Sequence, residues 1–388
     1  MAAEEFKNIV IVGLGLAAAD AVKGLLNKLP NEYRIIAVTA TEGYWPIASL
    51  RAAVVPGWED KPVAAVDPIL PPSRHLLLKG ATVVELKEHS IVIDRPHEEL
   101  GAEISFEFCI LATGSHYPWP CRPEAGASVE EIQAGLRKLQ KEVESSSSVL
   151  VIGGGPVGIE VAGEVGAYYD GKSGRNRKEV TIVHPQQRYI ADEGWKDHFN
   201  SSIGHQLESL GVRTVFGAKV EESPKATGKI ADGPKEYRLT NGETVSADFV
   251  FLAVGNRPNT SILSDFDSAA VNPENKLAKV ESSFQVQGHP HMFAIGDIVD
   301  IDESKVYVNA KHHGGVAAQN ILHLIRDGAA PTSSLKAYKP GSKTMIVSIG
   351  PKGGAGQLFG FVVGSWFSWI AKSRTLFVDT FQKTYSIG

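Results

Sequence analysis

Two glycine-rich turns carry the chemistry this sequence offers. The first, Gly13-Leu14-Gly15-Leu16-Ala17-Ala18, is a G-x-G-x-x-A turn directly after the β-branched run at residues 8–12. The second, Gly153-Gly154-Gly155-Pro156-Val157-Gly158, is a G-x-G-x-x-G turn after a similar run at residues 148–153. In such a turn the leading glycine permits a tight reversal and the second lets backbone approach a pyrophosphate. The last small residue keeps helix and strand close. The following helix offers unpaired N–H groups and a positive dipole end to phosphates. Gly13, Gly15, Ala17 and Ala18 are therefore expected to hold one dinucleotide, and Gly153, Gly155 and Gly158 a second. A lone glycine-rich turn also occurs where nothing binds. Two copies, each after a strand, weigh more than either alone.

The ends of other strands extend both sites. The run at 292–300 (MFAIGDIVD) delivers Gly296 and Asp297 to a sheet edge, where the carboxylate can accept from ribitol hydroxyls of FAD or cap a helix. Residues 108–114 (FCILATG) and 249–255 (FVFLAVG) place Thr113, Gly114 and Gly255 at comparable ends. The acid that normally binds ribose after the second strand is missing. Thr39-Ala40-Thr41 stands there, so Thr39, Glu42 or backbone must substitute. In the second unit, residues 179–183 end at His184 with Arg188 close by. An acid at that place favours NADH, whereas this pair suits a 2′-phosphate, so NADPH is expected alongside NADH. A neutral surface imidazole is the plain alternative for His184.

The elements that position these residues alternate strand and helix. The expected fold is α/β: two Rossmann-like nucleotide-binding domains of glutathione-reductase-like type and a small C-terminal α+β domain. The FAD domain is expected at 1–120 and 257–310, the NAD(P)H domain at 121–256, and the C-terminal domain at 311–388. A Pro-rich stretch at 117–123 serves as the hinge, and residues 171–177 read as an exposed polar loop. Near the end, Trp366, Phe367, Trp369 and Ile370 share one helical face. Packing against the domain, or a homodimer contact, is the favoured reading. The competing one is membrane contact at the mouth of a quinone tunnel. The apolar run is shorter than the ~20 residues a span requires.

The net charge of −5 is spread without a basic stripe, which argues against nucleic acid. The two cysteines, Cys109 and Cys121, form no C-x-x-C, so neither a dithiol relay nor a metal site is expected. Lys311-His312-His313 lacks further spaced ligands. Low cysteine content fits a reducing compartment. The start MAAEEFKNIV shows no signal-peptide core, no Arg-rich transit pattern and Ala2 in place of the acylated glycine. The expected location is cytoplasmic, with peripheral attachment to lipid droplet, plasma or outer mitochondrial membrane as the alternative.

The order G-x-G-x-x-A, ATG, G-x-G-x-x-G-x-E, AVG-x-RPN and AIGD resembles the pyridine nucleotide–disulfide oxidoreductase superfamily. Within it, the apoptosis-inducing-factor-like branch, which includes the ferroptosis suppressor proteins, fits best. Residues 48–52 (ASLRA), 287–297 (QGHPHMFAIGD), 337–341 (AYKPG), 372–374 (KSR) and 376–378 (LFV) carry the likeness over nearly the whole chain. The resemblance implies non-covalent FAD, NAD(P)H as donor and a quinone such as ubiquinone as acceptor. By motif match it implies that Arg51 contacts the flavin nucleotide's phosphates and that Lys61 also serves FAD. Glu160 and Lys372 match positions near flavin and nicotinamide, and Phe377 lines the acceptor side. Lys372 would stabilise the reduced flavin, with Glu160 as its partner or as an orienter of nicotinamide.

Without paired cysteines, electrons must pass from flavin directly to a bound acceptor. The leading expectation is an FAD-dependent NAD(P)H:quinone oxidoreductase. The alternatives are a redox-sensing signalling flavoprotein that holds a long-lived reduced complex, a reductase of a protein electron carrier, and a slow oxidase.

Overall fold

The computed structural model describes residues 6–172, 174–190, 194–328 and 334–386. Strand Lys7–Val12 is buried from its second residue onward because it lies inside a parallel sheet with strands on both sides. The spatial order is Gln285–Val286, His289–Ala294, Phe108–Leu111, Lys7–Val12, Tyr33–Thr39, Leu76–Lys79. All neighbours pair parallel except the outermost hairpin of 285–286 with 289–294. Val12 stands opposite both Val38 and Leu111, so three strands end at one edge, where the first glycine turn begins.

Helix Leu16–Leu26 follows that turn and crosses the long helix Tyr307–Asp327 at backbone contact. A Cβ on Gly314 would lie 2.8 Å from the Ala21 nitrogen, and one on Gly24 would lie 2.7 Å from Ala318 Cβ. Val316, Ala317, Ala318 and Ile321 share a core with Ile9, Ala18 and Val22. The expected boundary at 310/311 therefore cuts a helix. Its small-residue face finds its complement on the first nucleotide unit, and the helix belongs there.

The second sheet runs Val212–Phe216, Glu179–His184, Ser148–Ile152, Phe249–Leu252, with short antiparallel Gly228–Lys229 at the edge. The two peptides that connect the sheets pair with each other, Ser115–His116 antiparallel to Arg257–Pro258. Thr113 Oγ1 donates to the Asn259 carbonyl at 2.6 Å, and Asn259 Nδ2 donates to the Thr113 carbonyl at 2.9 Å. The two chain crossings are thus tied side by side.

Strands Met345–Ile349, Gly353–Leu358 and Phe361–Val363 form an antiparallel sheet on helix Pro156–Tyr168. A Cβ on Gly163 would stand 2.8 Å from Ile349 Cα. Val347, Ile349 and Ala355 share a core with Val161 and Val165. Short helix Ser365–Ser368 then runs into a π-helical turn, Trp369–Ser373. Here the expectation of core packing fails: Trp366 is 73% exposed, Phe367 41% and Ile370 48%. The cause is the other face, where Ser368 and Ser373 are buried against Gly354, with room for nothing larger. The bulky residues are therefore turned outward.

No helix among the described residues is long and apolar enough to cross a membrane. Residues 1–5, on which the leader and acylation readings rest, and Ser173 of the expected polar loop lie outside the described residues.

One buried side chain links this fold to pH. The Ile35 N–H donates to His75 Nδ1 at 3.0 Å, and burial pushes the imidazole pKa down from 6.5 to about 4. The unfolded chain therefore binds a proton that the folded chain refuses. Stability is full above about pH 6.5 and falls as pH drops toward 4. His75→Gln should flatten that limb by roughly 2–3 kcal/mol in urea unfolding at pH 7 against pH 4.5. An unchanged slope would remove His75 as its source.

Candidate functional site

In the first turn, Gly13 has φ +88°, and a Cβ there would lie 2.5 Å from the Ala112 carbonyl oxygen. Only glycine fits. Gly15 caps helix Leu16–Leu26 with no side-chain bond to the first-turn N–H groups, and nothing stands within 4 Å of where its Cβ would point. Ala17 and Ala18 are buried. Open space faced by unpaired N–H groups suits a pyrophosphate.

Beside it, the Gly296 N–H donates to His313 Nδ1 at 3.2 Å. His313 Nε2 lies 2.8 Å from Glu303 Oε1, close but poorly aligned, and the Tyr338 hydroxyl donates to Glu303 Oε2 at 2.6 Å. His313 is thus a buried support for the Gly296–Asp297 corner. His312 is exposed. The Asp297 carboxylate is half-buried and has no hydrogen-bond partner among the described residues. Burial, and then its charge, raise the pKa of the facing Tyr117 phenol. Asp297 is free to accept from a ribitol.

On the ribose side the two candidate side chains already have protein partners, which leaves the backbone groups. Thr39 Oγ1 donates to the Thr41 carbonyl at 2.8 Å and closes a turn. Glu42 pairs with Lys79 at 2.9 Å and accepts from the Val66 N–H at 3.1 Å. Both side chains are engaged with protein. Three residues that sequence reasoning missed stand nearby. Arg122 is half-buried, its Nε is buried without a partner, and it has no carboxylate partner among the described residues. A Cβ on Gly114 would lie 3.5 Å from its Nη2. Its position in a Pro-rich loop just after the ATG strand end was the available signal. The Tyr385 hydroxyl donates to the Leu14 carbonyl inside the glycine turn at 3.1 Å. Trp45 is the third, described below.

In the second turn, Gly153 has φ +116° and a Cβ there would strike the Ala253 carbonyl. Gly155 caps helix Pro156–Tyr168 and again faces open space, while a Cβ on Gly158 would collide with the Gly153 carbonyl. Gly255, φ +86°, lies just past strand Phe249–Leu252. His184 Nδ1 accepts from the Gly154 N–H at 3.1 Å, so its proton sits on Nε2, which is buried without a partner. Burial pushes its pKa down and keeps the ring neutral. Arg188 pairs with Asp197 at 3.0 Å and donates to the Trp195 carbonyl at 2.8 Å beside the start of helix Asp197–Ser209, while its Nε is buried without a partner.

The acids of helix Pro156–Tyr168 join the second site to the rest. Glu160 Oε1 accepts from Lys372 Nζ at 2.5 Å and from the Ser348 N–H at 3.1 Å, and Lys372 also donates to the Ile346 carbonyl at 2.7 Å. The two residues matched from 212 positions apart are therefore in contact. One turn on, Glu164 accepts from Arg51 Nε at 3.0 Å and Nη2 at 2.7 Å. Arg51 Nη2 also donates to the Ser373 carbonyl at 2.8 Å, and its guanidinium lies over Trp58. Arg51 and Glu164 are each 2% exposed. Arg51 is thus an internal strut and not a phosphate ligand, because its donors are spent on protein. Lys61 is half-buried and pairs with Asp60 at 2.9 Å.

Phe377 follows Lys372 on a strained turn. Leu376 and Phe377 have φ of +51° and +57°, left-handed values that cost on the order of 1–3 kcal/mol each for such residues. The Leu376 N–H donates to the Lys372 carbonyl at 2.7 Å, and the Leu376 carbonyl accepts from Trp45 Nε1 at 2.6 Å. Trp45 is stacked on Phe381 and meets Tyr307 edge-on. The turn is fixed from both sides, and it sets the position of Phe377.

Removing one partner of a buried pair strands the other charge. Arg51→Met is expected to cost about 3–5 kcal/mol in urea unfolding, and the double variant Arg51→Met/Glu164→Leu to regain most of it. A double loss equal to the sum of the losses of Arg51→Met and Glu164→Leu alone would mean that the pair is not coupled.

The pyridine nucleotide-disulphide oxidoreductase family profile matches residues 7–314. Ferroptosis suppressor protein 1 of Xenopus tropicalis is 30% identical over 382 residues, 97% of this chain and 95% of that protein. Apoptosis-inducing factor homolog A of Dictyostelium discoideum is 28% identical over 393 residues, 98% of this chain and 92% of that protein. The solved sulfide:quinone oxidoreductase of Aquifex aeolicus shares the fold, with a TM-score of 0.73 at 16% identity over 98% of this chain and 91% of that one. With its two open glycine turns and free Asp297, the chain is an FAD-dependent NAD(P)H oxidoreductase and belongs to the pyridine nucleotide-disulphide oxidoreductase family.

Proposed function

We propose that the protein is an NAD(P)H:quinone oxidoreductase. The observation that carries this reading is the continuity between the segment of Lys372 and Phe377 and an exposed apolar surface. Phe361 is 76% exposed, Trp366 73% and Ile370 48%, and all lie within the same C-terminal unit as Lys372. An apolar rim beside a buried cation suits a lipophilic acceptor that develops negative charge. Both thiols argue against disulfide reduction: each is buried, and burial pushes the Cys121 thiol up to about 12.

The turn Gly13–Ala18, Asp297 and Arg122 would hold FAD, and the turn at 153–158 would hold NAD(P)H. FAD, when bound, supplies the two-electron centre between nicotinamide and acceptor. Lys372 keeps a fixed positive charge in a dry setting, where it acts more strongly than in water. Glu160 holds that charge in place and the Ser348 N–H anchors Glu160. Phe377, set by its left-handed turn, shapes the acceptor side. The rim of Phe361, Trp366 and Ile370 would rest on a membrane interface, where Trp is favoured and long-tailed quinones reside.

Anaerobic stopped-flow mixing with NADH or NADPH should bleach the flavin absorbance rapidly. A ubiquinone analogue should restore it equally fast. Bleaching that persists in the presence of quinone would overturn the proposal in favour of a redox sensor.

Lys372→Met, combined with Glu160→Gln so that no buried carboxylate is stranded, should lower quinone turnover roughly 10- to 100-fold with FAD content retained. Unchanged turnover would remove Lys372 from the mechanism. Trp366→Ser/Phe361→Ser should weaken co-sedimentation with lipid vesicles and raise KM for a long-tailed quinone more than for a short one. Equal effects on both quinones would detach the rim from acceptor delivery.

A further inference from the structure

Away from both glycine turns, histidines and a carboxylate from separate segments meet at one spot. Strand His289–Ala294 opens with His289-Pro290-His291. It faces Glu88-His89, the turn between strands Val83–Leu86 and Ser90–His97. The rings of His89 and His291 lie 4.5 Å apart. Glu88 reaches toward both strand histidines, with Oε2 3.2 Å from His289 Nδ1 and Oε1 3.8 Å from His291 Nε2. One ligand atom each from Glu88, His89 and His291 can be chosen so that all lie within 4.8 Å of one another.

Hydrogen bonds outside the cluster orient two of its rings. His289 Nε2 lies 3.0 Å from Asp267 Oδ2 and donates to it. Its Nδ1 faces the Glu88 carboxylate at 3.2 Å. Nδ1 is buried and makes no hydrogen bond there. His291 Nε2 donates to the Glu88 carbonyl at 2.5 Å, which leaves its own lone pair on Nδ1. A cation held between Glu88 and these rings would take up the unpartnered His289 nitrogen.

We propose that Glu88, His89 and His291, completed by His289, bind a divalent transition-metal ion of the zinc class. Imidazole and carboxylate ligands favour zinc, copper or nickel over calcium or magnesium. Zinc bonds of ~2.0–2.2 Å place tetrahedral ligands roughly 3.4 Å apart. Closing the cluster to that size calls on the exposed Glu88 and His89 side chains to turn inward. Asp267, bonded to the far nitrogen of His289, orients the ring as carboxylates do behind zinc-bound histidines. The site pins the antiparallel sheet of strands Val83–Leu86, Ser90–His97 and Gly101–Ser105 to the edge of the first parallel sheet. Its place at the start of strand His289–Ala294, opposite the end that carries Asp297, makes it structural and separate from electron transfer.

The test is equilibrium dialysis of the tag-free, flavin-loaded full chain against Zn²⁺ at pH 7.5, with bound metal quantified and thermal unfolding followed in parallel. About one equivalent is expected, with a zinc-dependent rise in the unfolding midpoint. His291→Ala and His89→Ala should each weaken binding at least tenfold and abolish the rise. Asp267→Asn should weaken it roughly 10- to 100-fold. His198→Ala and His205→Ala, exposed on helix Asp197–Ser209, should change neither. Retained flavin content would show that each variant is folded. Binding far below one equivalent, or binding that survives both His291→Ala and His89→Ala, would overturn the proposal.

Discussion

Helix Pro156–Tyr168 buries two carboxylates one turn apart, and each is matched by a cation from a distant part of the chain. Arg51 comes from the first nucleotide unit and Lys372 from the C-terminal segment. Neither charge has enough solvent to survive alone, so the helix, the first unit and the C-terminal tail must assemble together or not at all. The same helix begins at the second glycine turn. One element therefore carries the second glycine turn at its start and holds the buried Lys372 cation of the C-terminal segment. The burial of Glu164 raises its pKa while Arg51 pulls it back, which is the electrostatic signature of a charge tolerated only because it is paired.

Much of this was legible in the sequence where short-range rules apply. The glycine turns, their parent strands and the Asp297 corner follow from local geometry: a positive φ, a close backbone approach and a helix start. The contact of Glu160 with Lys372 came from a matched pattern and not from spacing, since 212 residues separate them. Arg51 was misread for the same reason. An arginine near a flavin-binding segment has two uses, and only its partner Glu164, 113 positions away, distinguishes them.

The aromatic segment at 366–370 shows a different limit. Its apolar face was plain, but a helix with one apolar face turns that face to the core only when the core has room. Here Gly354, Ser368 and Ser373 close the inner side with small groups, and a π-helical turn leads the chain past it. Pattern alone does not reveal which side of an element is already full. Likewise Trp45, Arg122 and Tyr385 carry no periodic signal; Trp45 and Tyr385 act through contacts with residues far along the chain.

The bond from the Tyr385 hydroxyl to the Leu14 carbonyl joins almost the last described residue to the middle of the first glycine turn. The two partners lie 371 positions apart, so a backbone group inside the first nucleotide cradle is satisfied by a segment remote from it in sequence. A cut that released the segment of Tyr385 would therefore damage a cradle it never touches.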